Sequence, residues 1–167
     1  MATAKMMFKE VAEKEVVFDN SVIQDNHKVT LGILYNNNRN EKELVVYDTH
    51  NWSGDVTGAY PTIPFSNIGE YEVFIHQGLE GSKGGVVYVD GTDTTSRKWL
   101  VAFDTPNNKC HVEAGPIGAT DWNAVEVLLN QADTDSHHTD PVFEGRAAAR
   151  FRGDDGNKRR LEVLFVN

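Results

Sequence analysis

The stretch Tyr47–Asp104 constrains the fold more than any other part of the sequence. It holds eight of the 14 glycines and two of the three tryptophans, and it contains three short strand-like runs: Tyr71–Gln77, Gly85–Asp90 and Lys98–Asp104. Short runs rich in β-branched and aromatic residues, separated by polar turns, are typical of β-strands. The glycine-rich segment Gly78–Gly85 joins the first two runs and predicts a β-hairpin connection.

The same period of two recurs on both sides of this stretch. Alternation over Val29–Tyr35 predicts a half-buried strand, and Glu43–Tyr47 is expected to be its hairpin partner after a polar turn. Further along, Ala147–Phe151 alternates small or aromatic side chains with arginine, which predicts a sheet with one dry and one solvated face. A last strand is expected over Leu161–Phe165.

The sequence pattern of one segment, Trp122–Asn130, is compatible with either a helix or a strand. Asp121 is a suitable helix N-cap, but the β-branched alternation after it favours a strand. With this segment counted as a strand, the sequence predicts an all-β fold, an antiparallel β-sandwich of about 8–10 strands.

A short amphipathic helix is predicted at the N-terminal end, where Ala4, Met7, Phe8 and Val11 fall at helical spacing. We expect a single domain over residues 1–167. It would have a helical lead-in at 1–15 and a C-terminal extension at 152–167.

Composition argues against several classes of function. The formal net charge of −9 disfavours nucleic acid as a partner and disfavours purely electrostatic binding to anionic membranes. Residues 146–160 nevertheless carry six basic and two acidic side chains, which we interpret as a solvated strand edge. No apolar run approaches the roughly 20 residues that cross a bilayer, and the first 15 residues do not form a secretion signal. These features predict a cytoplasmic protein that is not transmembrane.

Three motifs suggest chemistry, and each has a simpler explanation. Gly78–Gly85 lacks the Gly-Lys-Ser/Thr ending of a phosphate-binding loop. Gln131–Asp140 concentrates aspartate and histidine without the spacing of a calcium loop, so we expect a solvated acidic loop. The single cysteine, Cys110, is expected to be a buried, inert thiol. No catalytic triad, carboxylate pair or metal motif is legible, so the sequence predicts no enzyme and no cofactor.

The candidate binding site is the segment His50–Pro64, predicted as a long loop at one end of the sandwich. Aromatic faces stack on sugar rings or quaternary ammonium groups, and neighbouring amides and carboxylates orient hydroxyl groups. The alternative is that Trp52 plugs one end of the core, since tryptophan is highly buried on average. The predicted ligand-binding residues are Asn51, Trp52, Asp55, Tyr60 and His76.

The sequence resembles the small jasmonate-induced proteins of plants from about Thr30 to Phe151. The shared pieces, which agree in order and spacing, are Leu34–Asn36, Trp52–Gly54, the prolines Pro61 and Pro64, Tyr71–His76, Gly81–Tyr88 and Trp99–Phe103. The layout is also similar to the aegerolysins, small acidic β-sandwiches of fungi and bacteria that bind particular membrane lipids. The N-terminal extension is shorter than in the plant family, and residues 152–167 run past the resemblance.

The resemblance implies a non-enzymatic stress or defence protein whose sandwich binds a membrane lipid head group. The alternative is a lectin-like carbohydrate-binding module that uses the loop from Trp52 to Tyr60. The expected partner is therefore a lipid or a glycan, and a homo-oligomer is compatible with either function.

Overall fold

The computed structural model describes residues 3–9, 11, 15–67, 69–155 and 157–167, without the side chains of residues 154 and 155. Within these ranges the chain forms ten strands, two α-helices and one 3-10 turn at Asn20–Val22. The bounds are α1 Ala4–Phe8, β1 Lys28–Asn37, β2 Val45–Ser53, β3 Asp55–Val56, β4 Glu72–Gly78, β5 Lys83–Val89, β6 Arg97–Asp104, β7 Lys109–Pro116, α2 Trp122–Asn130, β8 Asp135–Thr139, β9 Arg146–Asp155 and β10 Lys158–Val166.

The strands form two sheets that pack face to face. The six-stranded sheet has the order β3-β4-β1-β10-β9-β8, and the four-stranded sheet has the order β2-β5-β6-β7. The predicted β-sandwich with a short N-terminal helix is confirmed. One pair, however, is parallel: β1 lies beside β10, in register from Val29 against Lys158 to Asn37 against Val166. The expectation of a wholly antiparallel fold is wrong here, because alternation along one strand carries no information about its neighbour's direction.

The main core lies between the sheets and contains the largest buried side chains, among them Trp99, Tyr88 and Phe103. The predicted inward face of the last strand is confirmed, since Leu161, Val163 and Phe165 all lie in this core. Ala147, Ala149 and Phe151 of β9 face the same core, as their alternation predicts. Removing this apolar surface from water is the main contribution to stability.

The outer face of the six-stranded sheet is covered as well. Met7, Phe8 and Phe18 pack against it, so β1 is buried on both faces and Ala148 of β9 is fully buried on the arginine side. The expectation of a half-buried β1 is therefore wrong. The expected solvated face of β9 is only partly correct, because Ala148 is covered whereas Arg152 is exposed. A segment distant in sequence supplies the cover, which the strand pattern alone does not reveal.

The segment Gly78–Gly85 is not a hairpin. β4 and β5 belong to different sheets, so this segment crosses from one sheet to the other. At the crossing a Cβ on Gly78 would lie 2.7 Å from the Cα of Gly54, closer than a side chain allows. Gly54 also has a φ of 82°, which glycine adopts without strain. The hairpin predicted between β1 and Glu43–Tyr47 is wrong for a related reason. β2, which includes part of that segment, pairs with β5 in the other sheet.

Trp122–Asn130 forms α2, so the strand predicted there is wrong. The carboxylate of Asp121 accepts hydrogen bonds from the backbone N–H groups of Asn123 and Ala124, which caps the helix. Val125 and Leu129, four residues apart, are buried against the outer face of the four-stranded sheet. The helix therefore adds a layer to that side of the sandwich.

Two polar segments also differ from expectation. The predicted loop Gln131–Asp140 contains β8, which pairs with β9 at one edge of the larger sheet. The basic residues of 146–160 lie mostly on β9 and β10, which are interior strands and not an edge.

Cys110 is fully buried, as predicted. Burial raises the pKa of its thiol to about 12, which keeps it from forming the reactive thiolate.

Candidate functional site

Three aromatic side chains meet on the outer face of the four-stranded sheet, and we call His50, Trp52 and Trp122 the aromatic cluster. The rings of His50 and Trp122 stack with centroids 5.5 Å apart and an interplanar angle of 17°. Trp52 meets these two rings nearly edge-on, at centroid distances of 4.9 and 5.9 Å. All three residues are half-buried, so the cluster is packed and still presents aromatic surface to solvent.

Three elements build the cluster. His50 and Trp52 lie two residues apart on β2 and therefore share a face. Trp122 begins α2 and lies over Gly85 of β5, where a Cβ would be only 2.6 Å from its ring atom Cζ3. Its Nε1–H donates a hydrogen bond to Oδ2 of Asp48 at 2.9 Å. The absence of a side chain at Gly85 thus provides the space that Trp122 occupies.

The substitution Gly85→Ala should therefore displace Trp122. We expect the free energy of unfolding to fall by about 1–3 kcal/mol, the usual range for overpacking. We also expect the tryptophan fluorescence to shift to longer wavelength as the indole gains solvent. Gly118→Ala is the matched control, because a Cβ at Gly118 meets no atom within 4 Å. Equal behaviour of the two variants would contradict the packing described here.

A polar rim borders the cluster on the α2 side. The ammonium group of Lys83 lies 5.7 Å from the centroid of the Trp52 ring, within the range of a cation–π interaction. The same Nζ atom donates to Oε2 of Glu126 at 2.7 Å and to Oδ1 of Asn130 at 3.0 Å. Lys83, at the end of the glycine-rich segment, thus ties β5 to α2.

Two predicted ligand-binding residues, Asn51 and Asp55, are exposed at the end of the sandwich adjoining Trp52. Asn51 Nδ2 donates to Asp55 Oδ1 at 2.9 Å, and Asn51 Oδ1 lies 2.9 Å from Nε2 of His76. His76 itself is fully buried. It therefore holds Asn51 from the interior and does not face solvent.

Behind Asn51, hydrogen bonds continue into the core. Nδ1 of His76 lies 2.8 Å from Oγ of Ser82, and Ser82 in turn contacts Thr30 at 2.6 Å. Because Asn51 Oδ1 is an acceptor, Nε2 of His76 carries the proton. The Oγ atom of Ser82, which carries a single proton, lies within hydrogen-bond distance of both the carbonyl oxygen of His76, at 3.0 Å, and Nδ1, at 2.8 Å. Burial lowers the pKa of His76 to about 4, and the nearby charge of Asp55 only partly opposes this. The imidazole is therefore neutral near pH 7.

A serine paired with a histidine resembles part of a hydrolytic site, but its location here is different. Ser82 and His76 are both fully buried, so a substrate cannot reach either of them. The pair serves to position Asn51 and to satisfy polar atoms at the end of the core.

Tyr60 also lies in the interior, with 9% of its surface exposed. Its ring packs on Phe74 at a centroid distance of 4.9 Å within the main core, and burial raises the pKa of its hydroxyl. Trp52, in contrast, packs against the outer apolar cluster between α2 and the four-stranded sheet and does not plug the main core. Of the predicted residues, the structure brings Trp52, Asn51 and Asp55 together near the surface.

The loop predicted over His50–Pro64 is shorter than expected, because most of His50–Val56 belongs to strands β2 and β3. Sequence reasoning missed His50, Trp122, Asp48 and Lys83 as members of the site. The spacing of His50 and Trp52 on a strand was an available signal. Trp122 could join them only if its segment was read as a helix over the sheet.

Two other kinds of functional feature are absent from the described residues. None of the described helices is long and apolar enough to cross a membrane. Within the described ranges, no group of three or more histidine, cysteine, aspartate or glutamate side chains converges to hold a metal ion.

Neither a protein-family model nor a curated protein matches the chain. The chain superposes on the crystal structure of the lipid-binding protein Nakanori with a TM-score of 0.64 at 17% identity, over 83% of this chain and 71% of that one. It superposes on the Xerocomus chrysenteron lectin XCL with a TM-score of 0.58 at 13% identity, over 83% and 99% of the two chains. The chain therefore has the β-sandwich fold that a lipid-binding protein and a lectin also adopt.

Proposed function

We propose that the protein is a non-enzymatic binding protein that recognises a membrane lipid head group through the aromatic cluster. The observation that carries the proposal is the half-buried Trp52, packed edge-on against His50 and Trp122 beside exposed polar residues. A quaternary ammonium group, as in phosphatidylcholine or sphingomyelin, matches this chemistry. Its charge is attracted to the faces of aromatic rings, and its methyl groups lose little hydration on contact.

The charges around the cluster favour a cationic group. Asp48 lies beside the rings, and the whole chain has a net charge of −9. On this side of the sandwich an anionic lipid surface would be repelled by this field, whereas a zwitterionic head group with an outermost ammonium would not. The ammonium group of Lys83 near Trp52 is an internal example of the same interaction.

The buried location of the His76–Ser82 pair supports a binding role over hydrolysis, since no substrate can reach it. The fold shared with Nakanori supports lipid recognition. Together with the resemblance to jasmonate-induced proteins and the aegerolysin-like layout, these features lead us to propose a role in plant stress or defence.

A glycan is the second candidate ligand, and one observation favours it. Asn51 and Asp55 form a hydrogen-bonded pair on the surface adjoining Trp52, a combination that can bind sugar hydroxyls while the indole stacks on the ring. The fold shared with the lectin XCL also supports this candidate.

Vesicle sedimentation tests the lipid proposal. We expect the protein to sediment with sphingomyelin or phosphatidylcholine vesicles and to remain bound at 1 M salt, where Coulomb attraction is screened beyond about 3 Å. Free phosphocholine should compete. Trp52→Ala should weaken binding about tenfold, because a desolvated cation–π contact contributes roughly 1–2 kcal/mol.

Tyr47→Ala is the matched control, since Tyr47 is an exposed aromatic residue of β2 outside the aromatic cluster. Its vesicle binding should equal that of the unmodified protein. If no choline-containing vesicle is bound, the lipid proposal fails. Retention on a glycan array that Trp52→Ala abolishes would then identify the second candidate as the function.

A further inference from the structure

A groove of about 590 Å³ lies on the outer face of the six-stranded sheet, on the opposite side of the sandwich from the aromatic cluster. Residues of β1, β9 and β10 line it from the sheet, and α1 with the residues after it lines the other side. Its charged lining consists of Lys5, Lys9, Arg150, Arg152, Arg160 and Glu162. On a chain with a net charge of −9, this is a local concentration of positive charge.

The strand register places four of these side chains next to one another. Glu162 of β10 pairs with Arg150 of β9, and Arg160 pairs with Arg152. Because residues two apart on a strand share a face, all four project from the same side of the sheet. Three guanidinium groups and one carboxylate thus share this face of the sheet.

Glu162 occupies only part of the hydrogen-bonding capacity of its neighbours. Its Oε1 atom lies 3.1 Å from Nε of Arg150 and 3.4 Å from Nη1 of Arg152. A guanidinium carries five N–H donors, so each arginine keeps further donors after this contact. Arg150 is also fixed in place, since its guanidinium carbon lies 4.4 Å from the centroid of the Phe8 ring.

Arg160 contributes a charge that Glu162 does not neutralise. It is exposed, and its guanidinium lies 5.8 Å from the Phe18 ring. Among the side chains that the structure describes, no carboxylate lies within ion-pair distance of it. The three arginines and Glu162 therefore leave a net positive charge inside a concave surface.

We propose that this groove binds a phosphate group, either on a soluble phosphomonoester or in a lipid such as phosphatidic acid. Planar guanidinium groups bind phosphate oxygens through pairs of parallel charge-assisted hydrogen bonds. Arg152 and Arg160 supply these donors, and Arg150 is held in place beside them. The site is separate from the aromatic cluster, so it stands whether or not the cluster binds lipid.

Titration of the protein with inorganic phosphate tests this site, with calorimetry or amide chemical shifts as the readout. Two charge-assisted hydrogen bonds correspond to a Kd of about 1 mM. Arg152→Gln and Arg160→Gln should each weaken binding about tenfold. Glu162→Gln should strengthen binding severalfold, because it removes the competing carboxylate. This opposite sign separates a binding role from a purely structural one.

Arg146→Gln is the matched control. Arg146 lies on β9 but does not line the groove, and its replacement by glutamine changes the net charge by the same amount as the groove variants do. Its phosphate affinity should change less than twofold. A loss equal to that of Arg160→Gln, or no saturable phosphate binding at all, would overturn the proposal. Thermal melting of each variant checks that the fold is retained.

Vesicles containing phosphatidic acid distinguish the two sources of phosphate. Recruitment that Arg160→Gln abolishes and Trp52→Ala leaves intact assigns the groove to a lipid phosphate. Binding of inorganic phosphate without recruitment to these vesicles assigns it to a soluble phosphomonoester. The choline-vesicle experiment depends on Trp52, so failure of either proposal is recognisable without the other.

Discussion

Trp99→Ala should lower the free energy of unfolding by about 3–5 kcal/mol, the range observed when a buried aromatic residue is truncated. Trp99 is fully buried between the sheets, next to Phe165 at a ring-centroid distance of 6.3 Å. Its Nε1–H donates a hydrogen bond to the carbonyl oxygen of Val166 at 3.1 Å, which joins β6 to the end of β10. Truncation would leave a cavity and an unsatisfied carbonyl group together.

Urea unfolding followed by circular dichroism measures this loss without depending on tryptophan fluorescence. Trp99→Phe is the informative comparison, since it keeps most of the ring volume but removes the Nε1–H donor. We expect it to cost about 1–2 kcal/mol. Trp52→Ala should cost less than either variant, because Trp52 is only half-buried. A cost below about 1.5 kcal/mol for Trp99→Ala would contradict the described core.

The stability of the protein should fall by about 3 kcal/mol between pH 6.5 and pH 4 because of His76 alone. Burial lowers the pKa of this imidazole from its ordinary value of 6.5 to about 4. In that window the unfolded chain binds a proton at this position and the folded chain does not. The contribution is absent above pH 6.5 and grows as the pH falls toward 4.

Comparison of variants isolates this effect from the carboxylates that titrate in the same range. His76→Gln should be less stable than the unmodified protein at pH 7, because it disturbs the contacts with Asn51 and Ser82. Its stability should nevertheless change less between pH 6.5 and 4. His137→Gln is the control, since it replaces a histidine that is exposed on β8 and leaves His76 in place. The loss of stability that His76 causes should therefore remain in this variant.

Nuclear magnetic resonance of the histidine side chains provides a direct check that does not require the variant to fold. The imidazole of His76 should show no titration above about pH 5. A midpoint near 6.5 would show that His76 is accessible to solvent, and the proposed support of Asn51 from the interior would then fail.

The sequence pattern predicts well which side chains of a strand share the face toward the main core. Leu161, Val163 and Phe165 face the core as their spacing indicates. The pattern fails where two layers cover one strand, as at β1, because burial on both faces removes the polar positions that alternation relies on. It also fails at Trp122–Asn130, where Val125 and Leu129 fit a helical face and the valines equally suggest a strand.

The candidate site could be predicted only in part for the same reason. Asn51, Trp52 and Asp55 are near neighbours in the chain and were recognisable together. Trp122 reaches Trp52 only through the placement of α2 over Gly85, and Ser82 reaches His76 only because the intervening segment crosses between sheets. These contacts depend on how distant elements meet, and a single sequence carries little information about that.

The parallel pair at the centre of the larger sheet has a consequence for how the chain folds. Val29 pairs with Lys158, about 130 positions further along, so β1 cannot acquire this neighbour until nearly all the strands have been made. Closing so long a loop costs entropy before any contact compensates for it, and rates fall as contacts become more distant in sequence. We therefore expect slow folding that is completed after synthesis of β10. Until then, β1 presents an unpaired apolar edge on which the nascent chain is vulnerable to aggregation.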